Sequence, residues 1–501
     1  MKIKRLLALL LSLCMMASLA VTAAAVEEEA DPPQASMVAE LPAPAEAVEL
    51  DPEEPEPMLP AVPEAAVTQA SGTCDCGKVV QVFVKGFLHP LYYDYKGDQT
   101  DQAFVLLHFL MNDQGESVKD ISKRWKPVDV SNHKDGLPVE VGNHEDGPEY
   151  EFLYDYRMDP FTNAKQLGEF IDYLIETTGH EKVALTGMSQ GTSVVTTYLM
   201  TEPDVYDKLE TLILVSGSYQ GVTVIGELLT RRLSLSMTSI LNLVATMNDS
   251  PLFKAFINLL RVVFAPFKTS PAGNMIFGSK LYSWIVMKLA GQMPAIWTFI
   301  PGDPKDPEGY YAQARKLLTG NEKYKKLLDW ADEYNYDIRP NVPAKLQEAK
   351  AAGVKVAIIA HYGKAAIPLL TTYDKQTDIL IDTEYGSCGA TVARIGKILT
   401  PEQIKNPAYL SCDGIIDSST CVLPDQTWFI KYIGHDFMPS EALRMKIIHE
   451  KEFYPSIKSY ADFPQYLRLT ADKLHTIPLD EEPISAPTTI AEALAGLAAA
   501  F

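Results

Sequence analysis

Lys182-Val-Ala-Leu-Thr-Gly-Met-Ser-Gln-Gly191 is the stretch from which the fold of this chain is read. Val183 to Thr186 is a short apolar, β-branched run, the composition of a buried strand. It feeds into two glycines that bracket Ser189. Glycine at 187 and 191 removes the Cβ atoms that would block a sharp strand-to-helix reversal, and such a reversal pushes the intervening side chain out at the carboxyl end of a sheet. Thr192 to Met200 continues as a helix that starts at Gln190. A Gly-x-Ser-x-Gly pentapeptide alone is a modest signal, and the strand before it and helix after it make Ser189 a candidate nucleophile.

Working outward, apolar runs alternate with helical patterns, which predicts an α/β fold: a mostly parallel central sheet with helices on both faces. Strands are expected at 79–84, 151–156, 209–215, 354–360 and 427–433. Leu167, Phe170, Ile171 and Leu174 fall at helical spacing within 161–177, and Gly179 supplies the stop. A second helix is expected over 344–352. Between the strands at 209–215 and 354–360 the chain is rich in Leu, Ile, Met, Phe and Trp and has no strand-and-turn rhythm. That predicts a helical cap insertion at about 220–345, lining an apolar pocket or meeting a lipid interface.

A serine hydroxyl needs a base to take its proton, an acid to orient that base, and donors for the developing oxyanion. In a strand–turn–helix architecture these follow the serine in the order acid, then histidine. Asp413 and Asp417, in Ser411-Cys-Asp-Gly-Ile-Ile-Asp417, are the candidate acids, and Asp413 ranks first through its Asp-Gly-apolar-apolar form. Of the nine histidines only His435, His449 and His475 follow, and His435 falls just past the last expected strand. The backbone amides of Gln190 and Phe87 are the expected oxyanion donors.

The N-terminus has the three parts of an export leader: a basic Met1-Lys-Ile-Lys-Arg5, an apolar run from Leu6 to Val21, and small residues that place cleavage after Ala25. Residues 26–73 hold twelve acidic residues, nine prolines and no lysine or arginine, which predicts a disordered spacer. Losing the leader's three basic residues takes the formal charge from −21 to −24, half of it in that spacer. No basic stripe remains of the kind a nucleic-acid partner requires. A domain is expected over 74–475, followed by an Ala-rich tail at 476–501.

Five cysteines lie beyond the leader. In an exported chain the expected bridges are Cys412–Cys421, pinning the acid loop, and one between the Cys74/Cys76 pair and Cys388, with one thiol left over.

Val82-Phe-Val-Lys-Gly-Phe87, Tyr154-Asp-Tyr-Arg-Met-Asp-Pro160, Gly-Met-Ser-Gln-Gly191, Asp413 and Gly434-His435 together resemble the α/β-hydrolases of the lipase and lecithin:cholesterol acyltransferase-like group. Gln292-Met-Pro-Ala-Ile-Trp-Thr-Phe-Ile-Pro301 is similar to a stretch of the acyltransferase branch. The resemblance spans roughly 79–440 and departs at Lys85, where many lipases carry histidine, and at Met188. It implies a serine hydrolase cleaving acyl or lipid esters through Ser189, His435 and Asp413; the leader makes it an exported one, and no cofactor or metal-binding residue is assigned. The alternatives are a peptidase, amidase or acyltransferase on the same triad, or a non-catalytic binding protein on the same scaffold.

Overall fold

A computed structural model describes residues 74, 78–87, 91–93, 125–127, 149–152, 154–233, 280–367, 370–435, 441–450, 456–458, 460–469 and 476–479. The leader, the acidic segment 26–73, Cys76, the stretch 234–279, His475 and the chain beyond 479 lie outside the described residues.

The centre is an eight-stranded sheet: β1 (Val80–Val84), β2 (Glu149–Phe152), β3 (Val183–Met188), β4 (Leu209–Val215), β5 (Lys355–Tyr362), β6 (Thr427–Lys431), β7 (Tyr466–Leu469) and β8 (Thr476–Pro478). Their order across the sheet is β8-β7-β6-β5-β4-β3-β1-β2. All neighbours pair in parallel except β7 with β8, which closes one edge antiparallel. The expected fold class is therefore the observed one. The strand expected at 151–156 is shifted to 149–152, because the register with β1 ends at Val84–Phe152 and the next residues turn away. Thr476–Pro478, read from sequence as the start of a tail, is the edge strand β8.

Alternation along each strand divides the core between two faces. Val183 and Leu185 share one apolar cluster with Leu167 and Ile171 of α1 (Pro160–Thr178), Val194 and Val195 of α2 (Gln190–Thr201), and Leu346 of the helix Val342–Ala351. Ala184, between them in sequence, packs on the opposite face with Leu443 and Ile447 of the helix Glu441–His449. Such strands need to be apolar nearly throughout, which is why Val-Ala-Leu carries no polar alternation. Helix α1 is bounded by local chemistry: Asp159 accepts from the Thr162 amide at 2.8 Å, Pro160 occupies its first turn, and Gly179 closes it at φ 70°.

Between β4 and β5 the described residues form helices and no strand. The inner layer of this segment is core: Met293, Trp297 and Ile300 are buried in the same cluster as the sheet, and the Trp297 indole donates to the Ala290 carbonyl at 2.7 Å. Among the described residues no helix is long and apolar enough to cross a membrane.

The chain leaves β1 toward β2 at the sheet edge and returns on the other side of β1 as β3. Connections after β1 and β3 therefore diverge, opening a crevice at their carboxyl ends where open α/β sheets take ligands.

Candidate active site

Ser189 stands at that crevice, between the end of β3 and the start of α2. Its backbone lies at φ 53°, a strained setting for a residue with a side chain, and its surroundings hold it there. The Ser189 amide donates to Val215 of β4 at 3.0 Å. Its carbonyl accepts from the Thr192 amide at 3.1 Å, the Ser218 amide at 3.2 Å, and the hydroxyls of Thr192 and Ser218 at 2.5 and 3.0 Å. Of the flanking glycines, Gly191 is sterically required, since a Cβ there would lie 2.1 Å from the Val84 carbonyl oxygen; one on Gly187 would be tight, 3.1 Å from the Thr192 Cα.

His435 follows β6, as expected. Its Nε2 lies 2.7 Å from Ser189 Oγ. Its Nδ1 lies 2.8 Å from a carboxylate oxygen, and that carboxylate belongs to Asp378. Asp378 sits in the loop after β5 and is 1% exposed. One oxygen accepts the amides of Leu380 at 3.0 Å and Ile381 at 2.7 Å, and the other accepts His435 and the Ser216 hydroxyl, the latter at 2.8 Å. Burial pushes the Asp378 carboxyl up, but His435, His361 and the Ile381 amide outweigh it and hold it below its ordinary value.

The structure thus corrects the expected acid. Asp413 is fully buried elsewhere, 3.1 Å from Lys431 Nζ and 3.1 Å from the Tyr362 hydroxyl, and it accepts Ser411 Oγ at 2.6 Å. Its Asp-Gly step is a turn, with Gly414 at φ 69°, and its carboxylate neutralises a lysine that β6 carries into the core. Asp417, the second candidate, accepts the Ser419, Lys405 and Asn406 amides and does not reach His435 either. The expected Cys412–Cys421 bridge is also absent. Cys412 is an exposed thiol lying 2.6 Å from the Leu479 carbonyl oxygen, whereas Cys421 is buried. Cys388 is a free thiol too, so the expected bridge from the 74–76 pair does not reach it, and burial pushes it up to about 12.

Of the candidate oxyanion donors, Gln190 follows the serine directly and Phe87 belongs to a loop that comes up against it. Gln190 opens α2, where the first-turn amides have no partner within the helix. The loop carrying Phe87 approaches through Gly86, where an added Cβ would lie 2.8 Å from the Ser189 Cβ. The Tyr154–Pro160 segment braces both donors: the Tyr154 hydroxyl donates to the Lys85 carbonyl at 2.7 Å, and Gln190 Nε2 donates to the Tyr156 carbonyl at 2.7 Å. Asp155 and Arg157 stiffen that segment with a buried two-point ion pair at 2.7 and 2.8 Å. Lys85 pairs with Glu151 at 2.8 Å. The Phe87 ring packs edge-on to Tyr156 at 5.0 Å and to Phe299 of the inserted segment at 5.9 Å. Among the described residues no cluster of ligating side chains could hold a metal ion.

Sheet and site together define an α/β protein with a serine, a histidine and an aspartate hydrogen-bonded in series at a strand–helix turn. No protein-family model matches the chain, and the search of curated proteins returns no relative. Among solved structures it aligns with a membrane phospholipase A described as a novel bacterial virulence factor, over 60% of this chain and 67% of that one, at 12% identity and a TM-score of 0.17. A likeness that low carries no argument about fold or activity.

Proposed function

We propose that this chain is a serine hydrolase of the α/β-hydrolase kind, cleaving carboxylic esters with Ser189 as nucleophile, His435 as general base and then acid, and Asp378 as the group that orients His435. The observation that carries this reading is the continuous series from Ser189 Oγ through His435 to Asp378, with links of 2.7 and 2.8 Å. In the first step the Ser189 oxygen bonds to the ester carbonyl carbon as its proton passes to His435 Nε2. The amides of Gln190 and Phe87 receive the charge that builds on the carbonyl oxygen. Collapse expels the alcohol, which takes the proton from His435, and leaves an acyl-serine. Water, deprotonated by the same imidazole, then releases the acid and restores Ser189.

Phe87, in the loop that meets the serine, packs on Tyr156 and Phe299, an apolar surround that favours an apolar acyl group, and the helices between β4 and β5 would serve as a cap over it. The leader composition supports export. Labelling of the folded protein with a fluorophosphonate should modify Ser189 and no other residue; an unlabelled Ser189 removes the hydrolase reading. Turnover of p-nitrophenyl esters exceeding that of the matched anilides separates an esterase from the amidase alternative, and rates across chain lengths report the acyl preference. Edman sequencing of the exported protein should begin at Val26.

A further inference from the structure

Asp378 is held from behind as well as from the histidine side. Ser216 follows β4 directly, at φ 44°, with its amide bonded to the Ile359 carbonyl at 2.9 Å. Its hydroxyl reaches two groups: Asp378 Oδ2 at 2.8 Å and His361 Nδ1 at 2.9 Å. His361 lies near the end of β5 and is 2% exposed. The strand ladder uses the backbone of Ser216 and His361 and none of the three side chains, yet those side chains meet at the carboxyl ends of adjacent strands, beside the candidate triad.

The proton positions follow from chemistry. An ionised carboxylate can only accept, so Ser216 spends its single proton on Asp378. Ser216 can then only accept from His361, which fixes the His361 proton on Nδ1 and leaves Nε2 bare. That Nε2 is buried with no hydrogen-bond partner. Burial, the largest influence, outweighs the attraction of Asp378 and, with repulsion from His435, brings His361 down to about 4, so the ring is neutral near pH 7. The titratable groups facing Asp378 are thus His435 on one side and neutral His361 beyond Ser216 on the other. Leaving an imidazole nitrogen dry and unpaired is unfavourable. The series of one-way donors that it completes accounts for retaining it.

We propose that Ser216 and His361 are positioning residues for the Asp378 carboxylate: His361 donates to Ser216, Ser216 donates to Asp378 Oδ2, and the oxygen that receives His435 is thereby fixed in place. This rests on the assignment of Asp378 under the proposed function. Because Ser216 and His435 share one oxygen, removing the hydroxyl leaves more negative charge for the imidazolium. The His435 pKa therefore rises while orientation loosens.

The test is NMR titration of ¹⁵N-histidine-labelled protein, with the His435 ring assigned by its loss in His435→Gln. In Ser216→Ala the His435 pKa should rise by about half a pH unit or more, and kcat for a p-nitrophenyl ester should fall about tenfold with KM within about twofold. In His361→Phe both effects should appear in the same direction and smaller, and that variant decides the matter if Ser216→Ala does not fold. A His435 titration that superimposes on wild type in a folded variant overturns the proposal. The ring titration is read without turnover, so absence of fluorophosphonate labelling in wild type would sink the hydrolase reading while the titration still decides the role of Ser216 and His361.

Discussion

Four donors converge on Asp378, two backbone amides on one oxygen and Ser216 with His435 on the other. Under the proposed function, a carboxylate so held selects the His435 tautomer that leaves Nε2 free to take the Ser189 proton. Asp378→Asn would present an amide in place of an acceptor and force the wrong tautomer, so kcat should drop by about 10⁴ with the fold retained, measured on a p-nitrophenyl ester alongside a thermal melt. Asp413 has the opposite profile. Its loss leaves Lys431 charged and buried, so Asp413→Asn should cost about 3 kcal/mol in urea unfolding, and the double change Asp413→Asn/Lys431→Met should recover most of it. Ser189 and His435 were legible because turn glycines and a strand end leave marks in sequence. Asp378 was not, because nothing in Thr377-Asp-Ile-Leu-Ile381 advertises a turn, whereas Asp413 carries a glycine that serves only its own loop. The usable signal is position: Asp378 directly follows Gln376–Thr377, a short strand that pairs back on Lys364–Ala365 just past the end of β5.

At the scale of elements, the site depends on how closely α2 and the loop after β1 approach each other. Gly191 lies against the Val84 and Lys85 carbonyls, where an added Cβ would come within 2.1 and 2.7 Å of their oxygens. Backbone cannot move aside cheaply, so Gly191→Ala should destabilise by more than about 3 kcal/mol or prevent folding, as read from urea denaturation or soluble yield. Gly86 is different, because its added Cβ would meet the Ser189 side chain. The Ser189 Cβ, 2.8 Å away, is fixed by its own backbone, so Gly86→Ala should shift the loop, cost some stability, and lower kcat on the order of 100-fold by displacing the Phe87 amide from its proposed oxyanion position. The central strands are legible where both faces are buried: Val183–Leu185 and Leu212–Val215 are continuous apolar runs, and Glu210 marks the partly exposed start of β4. The 151–156 assignment slid because Tyr154 and Tyr156 look like strand residues but are spent instead on bracing the site through the Lys85 carbonyl and Gln190.

For the molecule as a whole, His361 links stability to pH. Its folded-state pKa of about 4 lies below the ordinary value of 6.5. Below pH 6.5 the unfolded chain takes a proton that the native state refuses, so stability falls as pH drops from 6.5 toward 4 and is fully present above that window. The loss from this one group is about 3 kcal/mol across the window. Urea melts at stepped pH should show that slope in wild type and a flatter one in His361→Phe. The helical character of the described residues between β4 and β5 is legible in their composition, but their inner layer is part of the main core, which composition alone does not distinguish from a detached cap. Asp378, and not Asp413, completes the hydrogen-bonded series with His435 and Ser189, and that assignment decides the proposed chemistry. It is tested most directly by kcat/KM for p-nitrophenyl butyrate in Asp378→Asn and in the Asp413→Asn/Lys431→Met pair, each verified as folded. A loss of about 10⁴ is expected in the first and of less than about tenfold in the second; the reverse ranking would return the orienting role to Asp413.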